Sequence, residues 1–234
     1  MSPSNASEIT LKKNRYAQMI DHTLLKPMAT PSQIRNLCEE AVAHQFFSVC
    51  VNPAYVPLCA DILRGQSVRV CTVVGFPLGA TGTAVKAAEA AWAVEHGATE
   101  IDMVINQGWA KARDWRAVEI DIAEVRRACG SALLKVILET CNLTDEEKIA
   151  ACKASESAGA HFVKTSTGFG GGGATLDDVR LMRESVSKSV SVKASGGIRD
   201  LKTMEAMIEA GAGRIGASAG IHILSELRKK PDTN

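Results

Sequence analysis

At 234 residues the chain is long enough to bury a substantial core, as one large domain or two small ones. Its residues are 46% hydrophobic and 23% charged, as in an ordinary globular protein, and a formal net charge of +1 argues against the basic excess of a general nucleic-acid binder. The seven cysteines (38, 50, 59, 71, 129, 141 and 152) are odd in number, scattered and without a C-x-x-C pair, so they predict reduced thiols in a cytoplasmic protein and not a disulfide frame or a zinc site.

Residues 1–15 read as a polar leader with no apolar stretch of signal-peptide type, and residues 16–234 as a single catalytic domain. The longest charge-free run, Ala41 to Ala60, contains His44, Gln45, Asn52, Pro53 and Pro57 and is a poor membrane span. After Met19 to Thr23, a short apolar stretch turning polar, Thr30 and Pro31 open a helix on which Ile34, Leu37, Cys38, Ala41 and Val42 fall at helical spacing. Phe46 to Val51 predicts a strand, followed by a helical stretch through Leu63. Val68 to Val74 is β-branched and precedes an alanine-rich helix over Thr83 to His96.

Ile101 to Ile105 is a strand carrying Asp102, and an amphipathic helix covers Trp115 to Ala128. Leu133 to Leu138 holds Lys135, and Thr144 with Glu147 has the capping-box spacing at the head of the next helix. The Lys164 strand then leads to a helix near Leu176 to Val186, with Thr175 as its cap, and to the strand Ser191 to Ala194 with Lys193. Asp200 caps a helix to Ala210, Arg214 to Ala217 is the last strand, and Ile221 to Lys229 the last helix. Eight alternations with short connections predict a closed (β/α)8 TIM barrel.

An internal near-repeat supports this. Gly97 to Asp102, Gly159 to Lys164 and Gly211 to Gly216 each run glycine, alanine, two variable residues, one apolar residue and then a functional-looking position. The fixed offset predicts that Asp102, Lys164 and Gly216 converge inside the barrel from strands four, six and eight.

Lys135, Lys164 and Lys193 each sit in an apolar strand, where an unpaired ammonium is costly. One such lysine is best explained as a structural ion pair with Asp102 or Glu139. Three of them, two beside glycine-rich loops, predict a site. Lys164 ends its strand directly after Phe162 and Val163, so it is partly stripped of water, and Lys193 would add like-charge repulsion. Both favour a neutral, nucleophilic amine. Asp102 is the carboxylate for acid/base work or for orienting a lysine. Ser195 to Gly197 and Gly216 to Gly220 follow the last two strands, where barrels often hold a phosphate. Gly170 to Gly173 is a weaker signal, equally compatible with plain flexibility. His22 and Cys50 are candidates for the barrel mouth, and the isolated histidines predict no metal.

With these residues in place, the chain resembles the DeoC-type class I aldolases, the deoxyribose-phosphate aldolase family. The resemblance is carried by Ile20 to Pro27, Val73 to Gly79, Glu100 to Val104, Leu134 to Thr140, Phe162 to Gly168, Val192 to Arg199 and Arg214 to Ser218, in family order over nearly the whole chain. It implies a (β/α)8 barrel, no metal or organic cofactor, and a homodimer. The implied reaction is reversible cleavage of 2-deoxy-D-ribose 5-phosphate to acetaldehyde and D-glyceraldehyde 3-phosphate.

By the same resemblance Lys164 is the Schiff-base lysine, Lys193 its activating neighbour and Asp102 the proton-relay carboxylate. Asp21, Thr23 and Lys135 match pocket-lining positions, and Thr167 a substrate-binding one. Gly168, Gly196, Gly197, Gly216 and Ser218 match the phosphate-binding positions. The expected course is attack of neutral Lys164 on the aldehyde carbon, iminium formation, cleavage placed between C3 and C4, and release of an enamine of acetaldehyde. Ala219, Phe169 and the pair Ala194 and Ser195 depart from residues seen in other members and leave fewer phosphate donors. Another Schiff-base sugar-phosphate aldolase or transaldolase, or a non-catalytic sugar-phosphate-binding barrel, remains an open alternative.

Overall fold

Helix starts in this chain are set by side chains that accept otherwise unpartnered backbone N–H groups. Thr30 at the head of α2 (Pro31–His44) and Thr144 at the head of α7 (Asp145–Ser157) both form complete capping boxes, with Gln33 and Glu147. Thr175 and Asp200 cap α8 (Leu176–Ser185) and α9 (Leu201–Glu209) by accepting from Asp178 and Thr203. These starts are the ones expected. Along α2, Ile34, Leu37, Cys38 and Ala41 are buried, but Val42 is on the exposed side, one position past the edge of the apolar stripe.

The near-repeat closes three helices in the same way. Gly97, Gly159 and Gly211 have φ of 108°, 81° and 114°, a left-handed region that suits glycine. In each case the following alanine (Ala98, Ala160 or Ala212) donates to the carbonyl five residues back. The residue after that (Thr99, His161 or Gly213) donates to the preceding strand, at Val70, Leu134 or Val192. One chain-reversal device therefore sets the register of three strands.

The computed structural model describes residues 3–227. Its strands are β1 (Ile20–Leu24), β2 (Ser48–Val51), β3 (Arg69–Val74), β4 (Glu100–Val104), β5 (Leu133–Ile137), β6 (Phe162–Lys164), β7 (Ser191–Ser195) and β8 (Arg214–Ala217). All pair in parallel in chain order, and β8 returns to β1, which closes the expected (β/α)8 barrel. The remaining helices are α1 (Pro3–Ala17), α3 (Val56–Ile62), α4 (Thr83–Glu95), α5 (Gln107–Lys111), α6 (Trp115–Ala128) and α10 (Gly220–Glu226). The five-residue α5 has too few turns to leave a periodic signal, and the expected end of the last helix, Lys229, lies outside the described residues.

The polar leader is helical from Pro3, and Met1 and Ser2 lie outside the described residues. From Thr10 to Ala17, only Tyr16 and Ala17 are buried, so the polar character there belongs to the solvent face of α1. The Tyr16 hydroxyl donates to Glu205 on α9. Among the described residues, no helix is long and apolar enough to cross a membrane.

Lys86 and Asp121 form an ion pair between α4 and α6 that is fully buried. The Lys86 ammonium donates to Asp121 at 2.7 Å and to the Val104 carbonyl at 3.0 Å, and Thr83 donates to the other Asp121 oxygen. Lys86→Met leaves a buried carboxylate without its cation and is expected to destabilise the fold by about 3–5 kcal/mol. Urea denaturation measures this, and a loss within about 0.5 kcal/mol would mean that the pair holds nothing together.

Candidate active site

In a strand, residues i and i+2 share a face, and residues paired across parallel strands point to the same side. Glu100 and Asp102 on β4 therefore face inward together. The register pairs Asp102 with Lys135, Lys164 with Lys193 and Lys193 with Arg214. Asp21 on β1 completes the ring. Seven ionisable side chains thus converge in the barrel interior, each buried.

Asp102 is the hub. Its Oδ2 lies 2.8 Å from both Lys164 Nζ and Lys193 Nζ, and its Oδ1 lies 2.7 Å from Lys135 Nζ. Lys193 also pairs with Asp21 at 2.5 Å, and Lys135 with Glu100 at 2.6 Å. Arg214 closes the network from below, at 2.8 Å from Asp21 and 3.1 Å from Glu100, with its guanidinium over the Phe47 ring. Asp102 and Lys164 meet in the interior as the repeat predicted, and Gly216 stands beside Lys193. A Cβ at Gly216 would lie 3.1 Å from Lys193 Cε, so this glycine leaves room for the lysine.

Burial alone would push the Asp102 and Asp21 carboxyls up. The surrounding cations win, holding Asp102 well below the usual carboxylate range through Lys135, Lys164 and Lys193, and lowering Asp21 through Lys193, Lys135 and Arg214. Burial likewise opposes charge on Lys135 and Lys193, yet Asp102 raises both, helped by Asp21. These two lysines are ammonium ions at neutral pH. Among the described residues, three carboxylates (Asp21, Glu100 and Asp102) face four basic groups. Lys135, Lys193 and Arg214 match the carboxylates one for one, leaving Lys164 in excess.

Above this layer opens a cavity of about 350 Å³. Lys164 reaches it, as do Thr23, Thr167, Gly168, Gly196, Gly197, Gly216 and Ser218. Asp21 and Lys135, expected to line the pocket, instead lie wholly buried beneath it with Asp102 and Lys193, because each is drawn into the ion network. The structural explanation thus fits Lys135, but Glu139 pairs with no lysine among the described residues and bonds Thr167.

Cys50 is buried inside the barrel against Cys71 and Val73. His22 points to the helical layer, where it pairs with Glu40 at 2.7 Å and packs on Phe46, so it is not at the mouth. Two triplets have ligand-like spacing, Cys50 with Cys71 and Asp102, and Asp21 with Cys71 and Glu100. The Lys135 ammonium already sits against members of both, 3.3 Å from Cys71 Sγ.

The far end of the glycine run after Lys164, Gly172 and Gly173, is packed against its neighbours, while Gly171 is exposed with open space around it. A Cβ at Gly173 would fall 2.4 Å from the Gly196 carbonyl, and one at Gly172 2.8 Å from Cys141 Cβ. Ala174 N–H also donates to the Gly196 carbonyl, tying the β6–α8 loop to the β7–α9 loop.

This geometry has counterparts among known proteins. The family model described as DeoC/LacD family aldolase matches residues 15–226. The chain is a member of the DeoC/LacD aldolase family. A deoxyribose-phosphate aldolase of Coprothermobacter proteolyticus is 58% identical over 213 residues, spanning 91% of this chain and 97% of that protein. One from Brevibacillus brevis is 57% identical over 215 residues, spanning 92% and 96%. The solved deoxyribose phosphate aldolase of Aeropyrum pernix, described as tetrameric, superposes with a TM-score of 0.86 at 31% identity, covering 97% of this chain and 99% of that one.

Of the residues that the sequence marked as unlike other members, Phe169 and Ser195 line the cavity, whereas Ala194 is in the buried core. Phe169 lies edge-on to Phe76 at 5.3 Å and is half exposed, placing an aromatic wall at the mouth. Lys26 and Arg199, which the sequence reading passed over, border the same cavity. Their signal was adjacency to the Leu24 and Gly197 loops. The other missed members, Glu100 and Arg214, each stand two residues before a position already singled out on the same strand.

Proposed function

We propose that the chain is a deoxyribose-phosphate aldolase, a lyase that reversibly cleaves 2-deoxy-D-ribose 5-phosphate to acetaldehyde and D-glyceraldehyde 3-phosphate through a Schiff base on Lys164. The observation that carries the assignment of Lys164 is its double position. It is the network lysine that borders the cavity, and its one carboxylate partner among the described residues, Asp102, is shared with Lys135 and Lys193, each of which has a second partner. The cluster can spare it as a neutral amine while Lys135, Lys193 and Arg214 keep the carboxylates matched.

Neutral Lys164 Nζ attacks C1 of the open-chain sugar, and loss of water from the carbinolamine gives an iminium. Asp102 Oδ2, 2.8 Å from Nζ, is placed to accept or return protons at that nitrogen. The carbon count corrects the bond expected from the sequence reading. An imine at C1 that leaves a two-carbon enamine requires cleavage between C2 and C3, since breaking C3–C4 would leave three carbons on the lysine. The C3 hydroxyl loses its proton as C3 becomes the aldehyde of glyceraldehyde 3-phosphate, and the C2–C3 electron pair moves into the iminium. Protonation of the enamine at C2 and hydrolysis then release acetaldehyde and free Lys164.

Phosphate recognition falls to the backbone of Gly168, Gly196 and Gly197, to Gly216 and to the exposed Ser218, all of which line the cavity. Free thiols at all seven cysteines suit a cytoplasmic setting, and a homodimer is the assembly to test by light scattering.

Incubation with 2-deoxy-D-ribose 5-phosphate should yield acetaldehyde and glyceraldehyde 3-phosphate in equal amounts. Failure to release acetaldehyde from this substrate would mean a different aldolase or transaldolase, or a barrel that only binds the sugar phosphate. Ser218→Glu adds a charge of the substrate's own sign, and should raise KM for the phosphorylated sugar about tenfold or more, roughly 1.4 kcal/mol, with little change for unphosphorylated deoxyribose. Equal effects on both would remove Ser218 from the phosphate subsite.

A further inference from the structure

Glu139 is a buried ionisable side chain beside the cavity that the chemistry above does not use. This residue follows β5 in a left-handed backbone conformation, with φ 58° and ψ 65°, which a non-glycine residue seldom adopts. On either side, Leu138 and Thr140 keep β-like hydrogen bonds to the carbonyls of Lys164 and Thr165, so the distortion is confined to Glu139. Its carboxylate is almost completely buried. Both oxygens are spent on one residue: Oε1 accepts the Thr167 N–H at 3.2 Å, and Oε2 accepts the Thr167 hydroxyl. Gly170 packs directly over the same carboxylate, where a Cβ would approach within 3.0 Å.

We propose that Glu139 is a positioning residue that fixes the polarity of the Thr167 hydroxyl, so that Thr167 reads a hydroxyl group of the substrate. A threonine hydroxyl has one proton to donate and two lone pairs to accept with. Its proton is committed to Glu139, and one lone pair accepts the Phe169 N–H at 3.0 Å. What remains for the cavity, which Thr167 borders, is one lone pair and no proton. Such a group rewards a donor and is indifferent to an acceptor. The inference rests on the aldolase reading, under which the donor is the C4 hydroxyl, which takes no part in bond cleavage. It lies between the carbon that reacts near Lys164 and the phosphate near Gly168. In the reverse direction it is the C2 hydroxyl of glyceraldehyde 3-phosphate.

Glu139→Gln is nearly isosteric and inverts this arrangement. An amide must keep its oxygen on the Thr167 N–H, because its NH2 there would oppose another donor. The NH2 then donates to Thr167 Oγ1 and frees the hydroxyl proton to face the cavity. The measurement is kcat/KM for acetaldehyde addition to two acceptors, D-glyceraldehyde 3-phosphate and 3-phosphooxypropanal, which lacks the hydroxyl. The wild-type protein should prefer the hydroxylated acceptor. That preference should fall about tenfold in Glu139→Gln and in Thr167→Val, with no further fall in the double variant.

Equal loss on both acceptors in Glu139→Gln would make Glu139 a structural support of the loop and overturn the proposal. So would an unchanged preference in Thr167→Val, or additive losses in the double variant. Should Glu139→Gln fail to fold, Gly170→Ala displaces the same carboxylate without altering it and must lower the preference too. A wild-type protein that converts neither acceptor would sink the aldolase reading itself. One that converts both equally would sink only the role of Glu139.

Discussion

Lys164→Met is expected to lower turnover of 2-deoxy-D-ribose 5-phosphate by roughly four orders of magnitude or more, about 5.5 kcal/mol of barrier, while leaving the fold intact. The chemical half of this expectation follows from position. Lys135 and Lys193 are sealed beneath the cavity floor and held as ammonium ions, so neither can take over as nucleophile. Lys26 borders the cavity, but on the exposed β1–α2 loop and away from the carboxylate that would handle its protons. The structural half follows from charge matching. Methionine keeps the stem and removes the basic group whose one carboxylate partner, Asp102, is shared with two other lysines, leaving three cations against three carboxylates. Steady-state kinetics and thermal unfolding on the same preparation test both halves. Residual activity within about tenfold of wild type would remove Lys164 from the covalent role. A collapse in melting temperature would mean that its ammonium was holding the network together.

Lys193→Met should behave differently, and the contrast is informative. Removing this ammonium leaves Asp21 and Asp102 matched only if Lys164 is itself protonated. The imine should then form only at higher pH, and the acid limb of the rate profile should move up by about one unit or more, each unit corresponding to about 1.4 kcal/mol between protonation states. Because the pair is buried, salt should do little to mask the displacement. Lys193→Arg keeps a charge but spreads it over a planar fork that does not fit between two carboxylates, so it should rescue poorly. Loss of activity with the acid limb unmoved would make Lys193 a proton-transfer or substrate-positioning residue. Near-full activity in Lys193→Met would reduce it to a structural partner of Asp21.

The contrast between Lys193 and Lys135 also shows where sequence reasoning reaches and where it stops. A lysine at the end of a β-branched strand is conspicuous, and the alternation of eight strands and helices together with the glycine–alanine offset was enough to predict the barrel and the convergence of Asp102 with Lys164. Which lysine faces substrate and which lies in the floor depends on pairings between distant strands. Arg214 meets Asp21 across 193 positions, and no local pattern announces that contact. Glu100 was within reach, since a charged residue two positions before an inward-facing aspartate must share its face. Glu139 was visible only as a candidate partner for a lysine. Its actual role depends on a left-handed backbone angle at a residue type that gives no warning of it. The glycine run at 170–173 was left open for a related reason: a need for close approach and a tolerance of flexibility look alike in sequence, and the contacts at Gly172 and Gly173 distinguish them at those two positions.

The central claim is that one particular amine, at one particular position, forms the covalent bond to substrate. Borohydride reduction in the presence of acetaldehyde, followed by peptide mapping with mass spectrometry, addresses it most directly. The account predicts a stoichiometric two-carbon adduct on Lys164, absent in Lys164→Met and formed only at higher pH in Lys193→Met. An adduct mapping mainly to Lys193 or Lys135, or no stoichiometric adduct in the wild-type protein, would contradict it.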